Sequence, residues 1–141
     1  MIILDTNVVS EVMSHTPNPA VMEWLRRTPT ETLAITSLTV AEIEFGLARL
    51  PIGKRRDDLR SRFDAYLARG FADRVLYFDD IAARQYAVMA AHRMSVGRPF
   101  DAFDLMIAAI ARARNFEVAT RDEDGFADVG VTVINPWDVA R

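Results

Sequence analysis

Five short apolar-rich runs, at residues 1–4, 32–35, 75–78, 116–120 and 131–134, are separated by stretches of helical periodicity, and this alternation constrains the fold more than any other feature of the chain. Runs of this length suit strands covered on both faces, and parallel strands need long crossovers that helices usually supply. The pattern therefore predicts an α/β fold around a mainly parallel sheet.

The intervening helices are legible from their apolar stripes. Residues 20–27 carry Val21, Trp24 and Leu25 on one face and must stop before Pro29. Residues 39–50 place Val40, Ile43, Leu47 and Leu50 in register, and Pro51 forbids extension. Leu59, Phe63, Tyr66 and Leu67 define a third helix, with Gly70 positioned to end it in the left-handed conformation. Ala82, Tyr86, Met89 and Ala90 define a fourth, broken by Gly97 and Pro99. The last runs from about 101 to 114, where Asn115 can take a left-handed cap. The segment 14–19 is irregular but too short to divide the chain, so residues 1–141 read as a single domain.

Against this frame Asp5 is out of place. It follows a buried-strand pattern directly, and an unpaired buried carboxylate is costly, so it either caps a helix after the strand or faces a cation. Open α/β sheets bind ligands beyond the carboxyl ends of their strands, which directs attention to other acids at such ends. Glu42 falls in the first turn of the helix after the second strand, Asp104 in the first turn of the last helix, and Asp122 just past the strand 116–120. Thr39 and Glu42 also have capping-box spacing, and Asp122 with Asp124 and Gly125 also suits a turn. Asp79 reads as a plain helix cap, as does Asp101. Asp104 resists that account, because it shares a helical stripe with Phe100, Ile107, Ala108 and Ala111.

Two like charges about 4 Å apart repel by roughly 4 kcal/mol at an effective dielectric near 20, so converging carboxylates call for a counter-charge. The chain has no cysteine, and His15 and His92 stand apart from the acids, so an all-oxygen site for Mg²⁺ or Mn²⁺ is expected rather than one for zinc. The chemistry natural to such a site is phosphodiester hydrolysis.

The net charge of −3 gives no global sign of nucleic-acid binding. Sixteen of the seventeen basic residues are arginine, and Arg55, Arg56, Arg60 and Arg62 cluster with Lys54; their interleaving with Asp57 and Asp58 reads first as a solvated helix face and second as an RNA surface. With no signal-peptide pattern and no long apolar run, a soluble cytoplasmic protein is expected.

Ile3-Leu4-Asp5-Thr6-Asn7, Thr39-Val40-Ala41-Glu42-Ile43 with Gly46, Asp104-Leu105-Met106-Ile107-Ala108-Ala109, Ala119-Thr120-Arg121-Asp122 with Phe126, and Asn135-Pro136-Trp137 together resemble the PIN-domain ribonucleases, and among them the VapC-type toxins of toxin–antitoxin modules. The resemblance runs almost the whole length of the chain. It implies a three-layer α/β/α fold and Mg²⁺- or Mn²⁺-dependent endoribonuclease activity. It also implies Asp5, Glu42 and Asp104 as core acids, Asp122 (or Asp124) as a more variable fourth, and Thr6, Asn7 and Thr120 as supporting polar groups. A homodimer silenced by a small cognate antitoxin is the expected assembly.

Two other readings remain open at this point. A strand ending in Asp also begins the aspartyl-phosphate phosphatases, but these need a second acid where this chain has Asn7, and a distal lysine, of which Lys54 is the only example. A protein-binding module with a degenerate acidic pocket is the alternative outside enzymology.

Overall fold

Ile2–Leu4 forms β1, the middle strand of a five-stranded sheet in the computed structural model, which describes residues 1–138. Its neighbours are β2 (Leu33–Thr36) and β4 (Glu117–Ala119), with β3 (Val75–Leu76) outside β2 and β5 (Val133–Ile134) outside β4. All four pairings are parallel, with Ile3 opposite Ala34 on one side and Val118 on the other. The sheet is thus as the apolar runs predict, each strand ending within two residues of its run apart from trimmed outer ends.

Helices cover both faces. α1 (Thr6–Met13), α2 (Pro19–Arg27), α3 (Ser37–Arg49) and α4 (Lys54–Gly70) lie on one, and α5 (Asp80–Ser95) and α6 (Ala102–Arg114) on the other. Successive strand side chains point to opposite faces, so Ile3 and Val118 join Met89, Leu105 and Ile107, while Leu4 and Ala119 join Val8, Val21, Leu47 and Phe63. This is the expected three-layer α/β/α arrangement. The alanines at 108, 109 and 111, all fully buried, let α6 sit close to its neighbours and carry Asp104 to the sheet's carboxyl edge.

Helix boundaries correct three expectations. α1 has no counterpart among the helices read from periodicity; it begins directly after Asp5, whose side chain accepts the Thr6 N–H at 2.8 Å. α3 is capped by Thr36 through the Thr39 N–H, not by Thr39, because β2 runs straight into the helix; Glu42 consequently lies in the second turn, not the first, and is not a capping-box residue. Gly70 is the last residue of α4 in ordinary helical geometry rather than a left-handed terminator. The helix stops there because Phe71 turns inward, fully packed and 5.2 Å from the Tyr66 ring. Asn115 does adopt the left-handed cap, at φ 58° and ψ 42°, and Asp79 and Asp101 both cap helices as read.

Order 3-2-1-4-5 means that the chain steps outward from β1 to β3, then returns to the other side of β1 for β4. The crevice between the carboxyl ends of β1 and β4 is the switch point, where neighbouring crossovers diverge and leave a cavity.

Candidate active site

At that switch point Asp5 ends β1 and Thr120 follows β4. The Thr120 hydroxyl, fully buried, donates to Asp5 Oδ2 at 2.8 Å. The same oxygen accepts from Asn7 Nδ2 at 3.1 Å and from the Asp122 N–H at 3.0 Å, so its donor and both lone pairs are used. Asn7 closes the ring by accepting the Arg121 N–H through Oδ1 at 3.2 Å, and its amide also reaches Asp5 Oδ2 at 3.3 Å. One threonine therefore orients the first acid, the amide beside it and the backbone that presents Asp122.

Glu42 is held separately. The Thr6 hydroxyl donates to Glu42 Oε1 at 2.7 Å and lies 3.0 Å from the Thr39 hydroxyl, so α1 fixes an acid carried by α3. Asp122 Oδ1 accepts the Gly125 N–H at 3.1 Å from the 3₁₀ turn Asp124–Phe126. Among the described residues none gives the Asp104 carboxylate such support; its N–H is capped by Asp101 at 3.0 Å, and its half-buried carboxylate lines the cavity.

The electrostatics follow from this crowding. Burial pushes Asp5 up to about 6 against the lowering effect of its Thr120 and Thr6 hydrogen bonds, with the charges of Glu42 and Asp122 adding to the rise. Asp104 is pushed up to about 7, by burial first and then by Asp5, Asp101, Asp122 and Glu42. The acids sense one another, yet among the described residues no three form a preassembled ligand cluster.

The cavity has a volume of about 470 Å³, and Asp5, Glu42 and Asp104 line it together with Thr6, Asn7 and Arg121. Asp122 stands at its margin. A Cβ placed on Gly125 would lie 2.6 Å from Asp122 Oδ2 and 3.4 Å from Asp104 Oδ2, which puts both carboxylates against one glycine. Asp124, the other candidate for the fourth acid, instead heads the 3₁₀ turn and offers its carbonyl to Arg93. Lys54 opens α4 and is not among the lining residues, so the lysine a phosphatase reading requires is not in place. Of the arginine cluster, Arg60 pairs with Glu44 on α3 at 2.7 Å and Arg62 donates to the Met13 carbonyl, which ties this face to neighbouring helices.

Sequence reading missed Arg93. It lies on the apolar stripe of α5 at helical spacing from Ala82, Tyr86 and Met89, a visible anomaly, and is 2 % exposed. Its guanidinium donates to the carbonyls of Pro99, Asp124, Gly125 and Ala127 at 2.7–3.2 Å, while Nε is buried without a partner among the described residues. It thereby joins the segment leading to Asp104 with the turn that follows Asp122. Arg121 and Trp137 were also unassigned; they enter the site only because β4 and the chain after β5 end at the same edge.

A PIN domain is matched over residues 2–131. The VapC ribonuclease Y4jK of Sinorhizobium fredii is 44% identical over 140 residues, covering 99% of this chain and 100% of that protein. Toxin FitB of Neisseria gonorrhoeae is 39% identical over 137 residues, 97% of this chain and 99% of its own. The crystal structure of FitAcB from Neisseria gonorrhoeae superposes with a TM-score of 0.92 at 38% identity, covering 99% of this chain and 100% of that one. With this family match, these near-full-length relatives and a shared fold, the chain belongs to the PIN-domain family.

Proposed function

We propose that this chain is a divalent-metal-dependent endoribonuclease that acts in the cytoplasm as the toxin of a toxin–antitoxin pair. The observation that carries the reading is the meeting of Asp5, Glu42, Asp104 and Asp122 at one cavity margin, with two of them held far above the ordinary carboxylate range. A site so short of positive charge gains most from a cation. The names of relatives that span nearly their full length, one a ribonuclease and one a toxin, support the same activity.

The donor set fits a hard dication. Every acid is a carboxylate, no histidine lines the cavity, the chain has no cysteine, and the raised values of Asp5 and Asp104, caused first by burial and then by the neighbouring acids, favour a counter-charge. Asp5 and Asp104 would hold Mg²⁺ or Mn²⁺, with Glu42 and Asp122 completing or orienting the site. When bound, the ion supplies Lewis-acid neutralisation of phosphate charge and acidifies water for hydrolysis. The protein's own part is positional. Thr120 and the Thr6 N–H fix Asp5, the Thr6 hydroxyl fixes Glu42, and the Gly125 N–H fixes Asp122. Asp104, free of such tethers, faces the cavity where a phosphodiester would lie.

Such a chain must be held inactive in the cell that makes it, which is the role of a small antitoxin covering the cavity. A homodimer is part of the same reading; Ile81 and Val88, both more than half exposed and seven residues apart on α5, offer an apolar stripe for a second copy. The test is direct. Purified protein cleaves RNA with Mg²⁺ or Mn²⁺ and not with excess chelator, and Asp5→Asn or Asp104→Asn abolishes cleavage while the far-UV circular dichroism stays unchanged. Full activity of both variants overturns the site.

A further inference from the structure

Among the described residues the acidic cavity is lined by one cation, and that cation is not paired with any of the acids. Arg121 lines the same cavity as Asp5, Glu11, Glu42 and Asp104, yet among the described residues it forms no ion pair. Its guanidinium lies instead over the Trp137 ring, 5.2 Å from the centroid. Both ends of this contact are anchored: the Arg121 N–H donates to Asn7 Oδ1 at 3.2 Å, and the Trp137 N–H to Asn135 Oδ1 at 3.0 Å. An arginine among carboxylates would ordinarily fold onto one of them. Here the indole face holds it by a cation–π contact, and among the described residues no acceptor takes its guanidinium N–H donors.

We infer that Arg121, braced on Trp137, forms a subsite for a backbone phosphate of single-stranded RNA adjoining the phosphodiester to be cleaved. The inference rests on the ribonuclease reading and adds the contact through which an anionic strand enters an acidic cavity. A guanidinium fork matches phosphate geometry with two parallel hydrogen bonds, and the contact with the Trp137 ring restrains where that fork lies. An open cavity of about 470 Å³ has room for a splayed strand, and single-stranded RNA is the form whose backbone can follow such a cleft with its bases turned out. Of the arginine-rich stretch on α4, Arg60 pairs with Glu44 and Arg62 binds the Met13 carbonyl, and neither lines this cavity.

The experiment uses the full chain, Mn²⁺ and a short unstructured fluorescent RNA oligonucleotide across a series of salt concentrations, with binding of the same oligonucleotide measured by anisotropy in an Asp5→Asn background. Arg121→Gln raises KM and the dissociation constant about tenfold, the loss of one charge-assisted phosphate contact, with the effect carried by KM rather than kcat. It also reduces the slope of log affinity against log salt by about 0.7, as expected for one phosphate contact on a single strand. Arg121→Lys keeps the slope but not the full affinity. Trp137→Leu weakens binding in the same sense and Trp137→Phe restores it, which a purely structural role of the pair would not produce in the salt slope. Wild-type protein that cleaves RNA while Arg121→Gln leaves KM and slope unchanged overturns the subsite alone. Wild-type protein that neither binds nor cleaves RNA overturns the ribonuclease reading and the subsite with it.

Discussion

Thr120 and Asp5, 115 residues apart in the chain, are joined by a 2.8 Å hydrogen bond from a fully buried hydroxyl to a carboxylate that is 3% exposed. The bond crosses the switch point of the sheet, and everything else in the site is arranged about it. It counteracts the burial that pushes Asp5 up to about 6. It also leaves the threonine oxygen with lone pairs that order Asn7 and the backbone of Asp122.

Thr120→Val keeps the shape of the side chain and removes all three of these hydrogen bonds. Leaving buried polar partners unsatisfied costs about 1–3 kcal/mol each at most, partly recovered by the added methyl, so a net loss of about 2 kcal/mol in urea unfolding is expected. Asp5 rises further without its donor. Cleavage falls at neutral pH and recovers partly as pH is raised; an unshifted pH profile would show that Thr120 does not tune Asp5.

The raised values of Asp5 and Asp104 fix the sign of a stability change with pH. Both folded-state values, about 6 and about 7, lie above the ordinary 3.8, so between roughly pH 4 and pH 7 the native state binds more protons than the unfolded one. The metal-free protein therefore loses stability as pH rises through that window and levels off above it. Asp104→Asn removes part of this dependence and raises the melting temperature near pH 7.5, by about 3 °C for each kcal/mol relieved in a chain of this size. Mg²⁺ or Mn²⁺ stabilises the wild type more at pH 7.5 than at pH 5 and does so far less for the variant. Parallel melting curves for the two proteins across pH, without metal, would contradict the assignment.

Gly125→Ala tests the closeness of the acids. The added methyl would stand 2.6 Å from Asp122 Oδ2, below any tolerable contact, and 3.4 Å from Asp104 Oδ2. The Asp122 carboxylate must rotate or the turn must shift, so divalent-ion affinity and cleavage fall by about tenfold or more, as displacements near 1 Å at reacting groups commonly cause. Thermal stability changes little. Calorimetric titration with Mn²⁺ separates this outcome from general unfolding.

Arg93→Met replaces a buried guanidinium that gathers four backbone carbonyls, three of them in the turn after Asp122. The carbonyls lose a shared cationic donor in a buried setting, and destabilisation of about 3 kcal/mol is expected. Arg93→Lys restores the charge but not the planar fork and recovers only part of it. Denaturant midpoints for the two variants give the comparison, and equal stability of Arg93→Met and wild type would remove the bracing role.

The strand order, every helix but α1, the parallel sheet and the acids at its edge are legible in the chain because each rests on local signals: apolar runs of strand length, amphipathic stripes, and carboxylates where such runs end. Asp5, Asp104 and Asp101 stand where that reading put them, Asp101 as the cap and Asp104 beside it on the cavity. Only the tertiary structure decided the rest. The first turn of α3 moved because a strand feeding directly into a helix lets Thr36 take the cap, and Gly70 stayed helical because the burial of Phe71 ended the helix instead. The hydrogen bonds of Thr120 to Asp5 and of Thr6 to Glu42, the reach of Arg93, and the placing of Arg121 on Trp137 all join residues distant in sequence. Such contacts carry no periodic signature. They arise when the return of the chain from β3 to β4 brings separate strand ends to one edge, where burial favours partners for polar groups such as the Thr120 hydroxyl.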